Sequence, residues 1–438
     1  MASYNYARTV YDLISMMRHV HWSADRLREY QNGKVRAIAK HAYDNVPFYH
    51  KEFENLGLKP YDIKTVEDLN KLPIIGKEDV RKNLEKMMSR EFDVRSLRKV
   101  STSGSTGTPL FIYIDRKEDE IRKVGHLRAN MGCGQKPRDR WVGITPHENH
   151  HEVPALLRFL NIFSLTSLSV FDDPSTQAAR LEKLKPDVIE GYSTSLQLIA
   201  NYVEKEGIET IKPRLILGGA ELIVDSSRRF IEKVFDAPFY DQYASTEFGR
   251  MACQCPAKKG YHIEADSLVM QFVDENGEEV ANGESGEIVC TSLHNYAMPI
   301  IRYTMNDVGI PSEETDCPCK RAFPLMKVME GRKDSIIFLP DGRELSPLVI
   351  GDGMIFFEHF DCIDQYRLIQ KRLDFFKILV KKNDCGVEDK VMESGLVAHF
   401  RKLLKVDESA VTIEVEFVDE IKLDRTGKLM KIVSELKK

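Results

Sequence analysis

The sequence lacks the features that mark several broad classes of protein. None of its apolar runs approaches the ~20 residues that a membrane-spanning helix needs. The formal net charge of -5 gives no support for nucleic-acid binding, which usually involves a basic domain. Residues 1–8 do not have the basic-then-apolar layout of a signal peptide. We therefore expect a cytoplasmic protein that has neither a nucleic-acid nor a membrane partner.

Cysteine is sparse for a disulfide-rich protein, with eight residues in a chain of 438. Because we expect a reducing compartment, we predict thiols or metal ligands rather than disulfides. Two close pairs, Cys253-Gln-Cys255 and Cys317-Pro-Cys319, accompany His262 and together offer five soft or borderline ligands. Tetrahedral zinc needs four, so the pattern indicates a metal site and leaves the choice among the five open.

The length of the chain predicts two or three domains, and a hydrophobic content of 42% allows a substantial core. Between residues 115 and 239, predicted strands alternate with predicted helices, which indicates a parallel sheet with helical crossovers. Ligands bind at the carboxyl ends of the strands in such sheets. That edge would carry Gly191-Tyr-Ser-Thr194, Gly218-Gly-Ala-Glu221 and Tyr243-Ala-Ser-Thr-Glu247.

A hydroxyl-rich stretch, Ser101-Thr-Ser-Gly-Ser-Thr-Gly-Thr-Pro109, lies between two predicted strands. Gly104 and Gly107 can adopt positive φ, so that backbone N–H groups can converge on an anion, and the hydroxyl groups add further donors. The stretch lacks the lysine that follows the second glycine of the standard P-loop. Its composition suits either a polyphosphate or an ordinary linker.

This stretch resembles the phosphate loop of the adenylate-forming enzymes, which include acyl-CoA synthetases, peptide-synthetase adenylation domains and luciferases. Their pattern is close to Ser/Thr-Ser-Gly-Ser/Thr-Thr-Gly-x-Pro, and residues 102–109 fit it. The opening of one branch, the phenylacetate-CoA ligase family, is similar to Tyr43-Asp-Asn-Val-Pro-Phe-Tyr49, Asp62-Ile-Lys-Thr-Val-Glu-Asp-Leu69 and Leu72-Pro-Ile-Ile-Gly-Lys-Glu-Asp79. The resemblance extends from about residue 35 to 430 in the family's motif order.

The resemblance implies an α/β protein with two domains. A large N-terminal domain, residues 1–330, would contain parallel sheets with flanking helices and would bind ATP and the acyl substrate. It would include a small, zinc-bearing β subdomain at about residues 250–330. A small mobile α+β domain, residues 331–438, would follow a hinge at Asp334 in Gly331-Arg-Lys-Asp334. This domain would turn between an adenylating and a thioester-forming pose.

The resemblance also assigns a nucleotide site. Its residues would be Ser101, Thr102, Ser103, Gly104, Ser105, Thr106, Gly107, Gly219, Ala220, Glu221, Asp241, Tyr243, Ala244, Ser245, Thr246, Asp307, Arg332 and Lys428. Three of these, Thr246, Arg332 and Lys428, would also be catalytic. Glu247 would be the fourth catalytic residue and the ligand of Mg²⁺.

Individual roles follow from the same resemblance. Thr246 would contact the nucleotide phosphate, and Asp307 would accept hydrogen bonds from the ribose hydroxyls. Arg332 would reach the ribose or a phosphate. Lys428, in Asp424-Arg-Thr-Gly-Lys428, would offset negative charge as the acid approaches the α-phosphate. Gly219-Ala-Glu221, Asp241 and Tyr243 would lie around the adenine.

Two details depart from or extend the family pattern. Thr304, Met305 and Asn306 replace an Arg-Thr-Gly run, and Ala244 replaces a glycine. The branch often carries Cys-x₆-His followed by Cys-Pro-Cys. This branch pattern implies four zinc ligands, which are Cys255, His262, Cys317 and Cys319. Cys253 is held in reserve as an alternative ligand. A site with four protein ligands would be structural.

We predict an enzyme that uses Mg·ATP to convert a carboxylic acid to acyl-AMP, releases pyrophosphate and transfers the acyl group to CoA. The family often forms homodimers. The stretch that shapes the aryl pocket of phenylacetate ligases is missing after Pro146, so the identity of the carboxylic acid is left open. One alternative is an adenylyltransferase with a non-carboxylate acceptor, such as a hydroxylated deazaflavin, or an adenylating enzyme of polysaccharide synthesis. Another is a non-catalytic nucleotide-binding module.

Overall fold

The chain forms two compact units in a computed structural model. The structure describes residues 6–102, 110–146, 160, 162–332, 335–354, 356–407, 409–423 and 428–436. Unit 1 combines Met1–Gln135 with Tyr240–Met329, and unit 2 combines Lys136–Phe239 with Glu330–Lys438. Within the described residues, no helix has the length and apolar character needed to cross a membrane. The split into domains 1–330 and 331–438 stays a prediction.

Unit 1 begins with helices whose ends follow from local sequence. They are α1 (Tyr6–His19), α2 (Ala24–Asn45), α3 (Pro47–Asn55), α4 (Lys77–Asn83) and α5 (Arg116–Gly132). The side chain of Ser23 caps the first turn of α2, and Val46 ends it, since Pro47 disfavours a helical residue before it. Asp115 caps α5 by accepting hydrogen bonds from two backbone N–H groups.

A two-stranded hairpin carries the hydroxyl-rich stretch. Strands β1 (Arg98–Thr102) and β2 (Leu110–Ile114) pair antiparallel, with Thr102 opposite Leu110. The two predicted strands are therefore confirmed. Ser103, Gly104, Ser105, Thr106 and Gly107 lie outside the described residues, whereas Ser101 and Thr102 end β1.

Seven further strands lie mostly in unit 1, between residues 239 and 332. They are β7 (Phe239–Ser245), β8 (Gly249–Gln254), β9 (Tyr261–Ile263), β10 (Leu268–Val273), β11 (Gly286–Ser292), β12 (Tyr303–Pro311) and β13 (Leu325–Arg332). Their order is β10-β11-β12-β13-β9-β8-β7, with antiparallel pairs such as β7–β8 and β8–β9. Their apolar faces pack with α2 and α3 in one core.

Unit 2 contains the predicted parallel strands. These are β3 (Trp141–Thr145), β4 (Leu165–Ser169), β5 (Val188–Tyr192) and β6 (Leu215–Gly219), in the order β6-β5-β3-β4. Helices α6 (Pro174–Leu184), α7 (Ser193–Lys205) and α8 (Asp225–Phe235) connect or follow them. All three strand pairs are parallel, which confirms the α/β class. The helix predicted near residues 153–160 falls almost wholly outside the described residues.

The C-terminal part of unit 2 is a small α+β assembly. It comprises β14 (Ile337–Phe338), β15 (Glu344–Leu345), α9 (Pro347–Met354), β16 (Ile363–Arg372), β17 (Phe375–Lys382), α10 (Asp389–Leu404), β18 (Thr412–Phe417) and β19 (Ile432–Ser434). Strands β18-β17-β16-β19 form one sheet, and the buried face of α10 packs in its core.

One cysteine prediction is wrong. Cys362 and Cys385 form a disulfide, with their Cα atoms 5.4 Å apart. The two residues are 23 positions apart in sequence, and the antiparallel β16–β17 hairpin brings them together. The expectation of a reducing compartment predicted free thiols, but it does not take into account which thiols the fold brings together.

Candidate active site

The Tyr243–Glu247 motif forms a tight turn between two antiparallel strands. β7 ends at Ser245 and β8 begins at Gly249, which lies opposite it. The Ser245 hydroxyl accepts a hydrogen bond from the Phe248 N–H at 3.1 Å. Gly249 has φ +74°, a conformation that favours glycine. The motif therefore leads into a strand, where a strand-to-helix connection had been the ordinary alternative.

Arg122 of α5 fixes the backbone of this turn. Its Nη1 donates to the Thr246 carbonyl oxygen at 2.8 Å, and its Nη2 donates to the Glu247 carbonyl oxygen. Its Nε donates to Glu118 Oε1 at 2.7 Å, one helical turn earlier. The Arg122 side chain is 13% exposed and that of Glu118 is 5% exposed. Sequence analysis missed Arg122, although the i,i+4 Glu–Arg spacing marked the pair on a predicted helix.

Two buried carboxylates of unit 1 are each held by a tyrosine. The Tyr243 hydroxyl donates to Asp307 Oδ2 at 2.7 Å, and the Tyr303 hydroxyl donates to Glu247 Oε1 at 3.2 Å. Burial and the adjacent carboxylates raise the pKa of both tyrosines above the usual value. Both hydroxyls therefore stay protonated and act as donors.

Asp241 is oriented in the same way on β7. Its Oδ2 accepts from the Tyr261 hydroxyl at 2.6 Å, and its backbone N–H donates to Gln254 Oε1 at 2.9 Å. Unit 1 thus brings Asp241, Tyr243, the 244–247 turn and Asp307 together on β7, β8, β9 and β12.

The departure at Thr304–Asn306 has a structural explanation. Asn306 has φ +60°, in the left-handed region that the family's glycine would also tolerate, and asparagine is among the non-glycine residues that adopt it most readily. Its N–H donates to Thr304 Oγ1 at 3.0 Å. Arg302 is 4% exposed and donates to three backbone carbonyls, so it holds the chain before β12. Thr304–Asn306 lies within β12, where the pairing with β11 shifts register, so Asn306 belongs to an irregularity of the strand directly before Asp307.

A small cavity lies beside the Thr246–Glu247 turn. Its lining includes the charged side chains of Glu118, Arg122 and Arg250, together with Phe248 and Ser267. The lining is therefore largely polar.

The predicted residues at the end of β6 and those after residue 330 lie in unit 2. Ala220, with φ +66°, and Glu221 follow β6. Glu221 Oε2 accepts from the Thr194 N–H at 2.9 Å, and Oε1 accepts from the Leu429 N–H at 2.8 Å. Lys428 Nζ lies 5.7 Å from the centre of the Tyr192 ring, so unit 2 brings Lys428 to the ends of β5 and β6. Arg332 ends β13, and Asp334 lies outside the described residues.

Four of the five candidate metal ligands converge in unit 1. The ligand atoms of Cys255, His262, Cys317 and Cys319 all lie within 4.8 Å of one another. Cys255 Sγ is 3.5 Å from Cys317 Sγ, and Cys319 Sγ is 3.2 Å from His262 Nε2. The fifth, Cys253, donates instead to Glu264 Oε1 at 3.6 Å. Two thiolates on a tetrahedral zinc with bonds of about 2.3 Å would be roughly 3.8 Å apart, so the donor set fits that ion.

The surroundings also suit a metal ligand at His262. Its Nδ1 lies 3.2 Å from the Phe323 carbonyl oxygen, where an N–H group would donate and orient the ring. Burial lowers the pKa of His262 to about 4, which keeps the imidazole neutral. Nε2 is then the acceptor, and it faces Cys319.

Solved structures share the fold of this chain. The structure matches 2-hydroxyisobutyryl-CoA ligase, solved in the postadenylation state in complex with R3-HIB-AMP, with a TM-score of 0.77 and 18% identity over 95% of this chain and 91% of that one. The chain therefore has the fold of the adenylate-forming CoA ligases, which confirms the predicted fold class.

Comparison of sequences identifies relatives of this chain among known proteins. No protein-family model matches the chain. It is 27% identical over 401 residues to the phenylacetate-coenzyme A ligase of Pseudomonas putida, which covers 87% of this chain and 88% of that one. It is also 27% identical over 313 residues to Protein CapK of Staphylococcus aureus, covering 69% and 66%. The chain is thus a homologue of the phenylacetate-CoA ligases, as its motifs predict.

Proposed function

We propose that this chain is an ATP-dependent acid–thiol ligase. It converts a carboxylic acid to acyl-AMP with release of pyrophosphate and then transfers the acyl group to CoA. The observation that carries this proposal is the pair of buried carboxylates, Glu247 and Asp307, each held by a tyrosine hydroxyl at a family motif position. A tyrosine hydroxyl that donates to each carboxylate orients its oxygens, as binding of Mg²⁺ at Glu247 and of ribose hydroxyls at Asp307 would require.

The first half-reaction brings two anions together. The carboxylate of the acid attacks the α-phosphorus of ATP and pyrophosphate leaves, so catalysis depends on positioning and on charge compensation. Mg²⁺ bound at Glu247 would neutralise charge on the phosphate oxygens. Lys428 supplies a second positive charge, and Asp307 accepts hydrogen bonds from the ribose hydroxyls. The acid is already ionised at neutral pH, so this step needs no general base.

The second half-reaction transfers the acyl group from acyl-AMP to the sulfur of CoA. The new C–S bond forms as the bond between the acyl carbon and the AMP oxygen breaks, and AMP leaves. The cytoplasmic location and the homodimer stay predictions.

The direct test is ATP–pyrophosphate exchange with purified protein. We would supply phenylacetate, 2-hydroxyisobutyrate and a series of aliphatic and hydroxy acids, each with and without CoA. Exchange with an acid, together with CoA-dependent release of AMP, is the expected result. Exchange without thioester formation would favour another acceptor. No exchange with any acid would contradict carboxylate activation.

We also propose that Cys255, His262, Cys317 and Cys319 bind a structural zinc ion. All four coordination positions would be filled by protein, which leaves no open position for catalysis. The ion would join the β8–β9 connection to the chain that precedes β13, and so stabilise unit 1.

The zinc proposal predicts one zinc ion per chain by inductively coupled plasma mass spectrometry. Cys317→Ser is expected to lose the metal and to lower the melting temperature, because binding to preformed ligands stabilises the folded state. Cys253→Ser is the matched control and is expected to retain zinc, since its thiol contacts Glu264 instead. Equal zinc content in the two variants would contradict this ligand set.

A further inference from the structure

Residues 428–431 contact residues that follow strands β5 and β6. Glu221 follows β6, and its two carboxylate oxygens accept from two different backbone N–H groups. One belongs to Thr194 at the start of α7, at 2.9 Å, and the other belongs to Leu429, at 2.8 Å. Glu221 therefore binds the residue next to Lys428, across 208 positions of sequence.

Lys431 makes a second contact with the same surface. Its Nζ donates to Gln197 Oε1 of α7 at 3.0 Å. Burial raises the pKa of Glu221 and lowers the pKa of Lys431, while the attraction between the two groups opposes both shifts. Two neighbouring, partly buried groups thus lie where residues 428–431 meet α7.

The small α+β assembly holds the same segment from its other side. The Lys431 carbonyl oxygen accepts from the Leu368 N–H at 2.7 Å, and the Met430 carbonyl oxygen accepts from Arg367 Nε at 2.9 Å. β19 then pairs in parallel with β16. The backbone that carries Lys428 is therefore fixed from two directions, while its ammonium group lies over the Tyr192 ring.

We propose that Glu221 and Lys431 are positioning residues that hold Lys428 for the adenylation step. This inference rests on the proposed function and changes the role of Glu221, which the family resemblance assigned to the nucleotide. A cation stabilises a developing charge only when it is held at the right place, and small displacements of such groups are costly. The thioester-forming step, in which no pyrophosphate leaves, does not require Lys428 to be held there.

The experiment compares the two half-reactions in Glu221→Gln and Lys431→Met. Matched controls are Glu204→Gln and Lys233→Met, because these two residues form an exposed ion pair in the same unit, with Nζ and Oε1 3.0 Å apart. With an acid that the wild type activates, we expect the rate of pyrophosphate exchange to fall about 10-fold or more in each test variant, mainly in kcat. Thioester formation from the preformed acyl-AMP and CoA should change less than about twofold.

A purely structural role would lower both half-reactions together, and that result would overturn the inference. Exchange at the wild-type rate in both test variants would overturn it as well.

If the wild type itself activates no acid, the proposed function fails, and the inference is tested by hydrogen–deuterium exchange of the full chain. This measurement uses Glu221→Ala, in which both N–H groups lose their acceptor. We expect the Leu429 amide to exchange about 10-fold faster, while amides of the β16–β17 hairpin keep their protection. An unchanged Leu429 amide would contradict the positioning contact.

Discussion

Replacement of Lys428 by alanine is expected to lower ATP–pyrophosphate exchange by about 10²–10³-fold, because the variant loses a positive charge aimed at the developing transition state. The loss should appear in kcat more than in the KM for ATP, since the interaction strengthens as the acid approaches the α-phosphate. Thioester formation from supplied acyl-AMP should be retained. Stopped assays of exchange and of thioester formation give the two rates separately.

Two further variants sharpen the test of Lys428. Lys428→Arg keeps a cation but changes its shape, so we expect partial activity. Lys233→Ala removes an exposed lysine of the same unit and should leave exchange unchanged. If Lys428→Ala lost both half-reactions equally, or neither, the assigned role of this residue would be wrong.

Replacement of Arg122 by leucine is expected to destabilise the protein by about 3–5 kcal/mol, since it leaves a buried carboxylate without its charged partner. Glu118 is only 4% exposed, and Arg122 also holds the carbonyl groups of Thr246 and Glu247. Pyrophosphate exchange should therefore fall as well, because the turn that bears both residues loses two hydrogen bonds. Urea unfolding monitored by circular dichroism measures the stability.

The same variant should show a distinct dependence on pH. Burial already raises the pKa of Glu118 despite the attraction of Arg122, and loss of that charge would raise it further. At pH values between the unfolded and the folded pKa, this carboxyl is protonated in the folded protein and ionised in the unfolded chain. Stability therefore falls as the pH rises from the unfolded value, about 4.3, through the folded one. The defect should be smaller at pH 5 than at pH 8.

Controls separate this effect from the general cost of removing an arginine. Arg36→Leu removes one member of an exposed pair with Glu29 and should cost less than about 1 kcal/mol. The double variant Glu118→Gln, Arg122→Leu should recover part of the stability and lose the pH dependence. A pH-independent defect in Arg122→Leu would show that the unpaired Glu118 is not its cause.

Local sequence predicted the parts of the molecule that depend on local patterns. The alternation of apolar runs and helical periods predicted β3, β5 and β6, and the strands that flank the hydroxyl-rich stretch follow from runs such as Leu110–Ile114. Motif positions, through a family resemblance, singled out Asp307 and residues 243–247, whose part in a nucleotide site stays a prediction. The bounds differ from the predictions by one or two residues, because strand ends depend on pairing partners.

Contacts between distant residues explain most of what the sequence did not predict. Arg122 reaches the Thr246 carbonyl across 124 positions, and Glu221 reaches Leu429 across 208. Neither pair has a local signature, since each depends on how separate strands and helices pack. The choice of Cys255 over Cys253 was open for the same reason: it depends on a partner, Cys317, that lies 62 positions away.

The discontinuity of unit 1 has a consequence for how the protein is made. Its N-terminal segment, Met1–Gln135, packs with Tyr240–Met329, so it cannot complete its core until the ribosome has translated the intervening residues and this second segment. At about 5–20 residues per second, the intervening stretch alone takes roughly 5–20 seconds. During that interval the apolar faces of α2 and α3 emerge before the strands that cover them. The nascent chain should therefore depend on chaperones that bind exposed apolar helices.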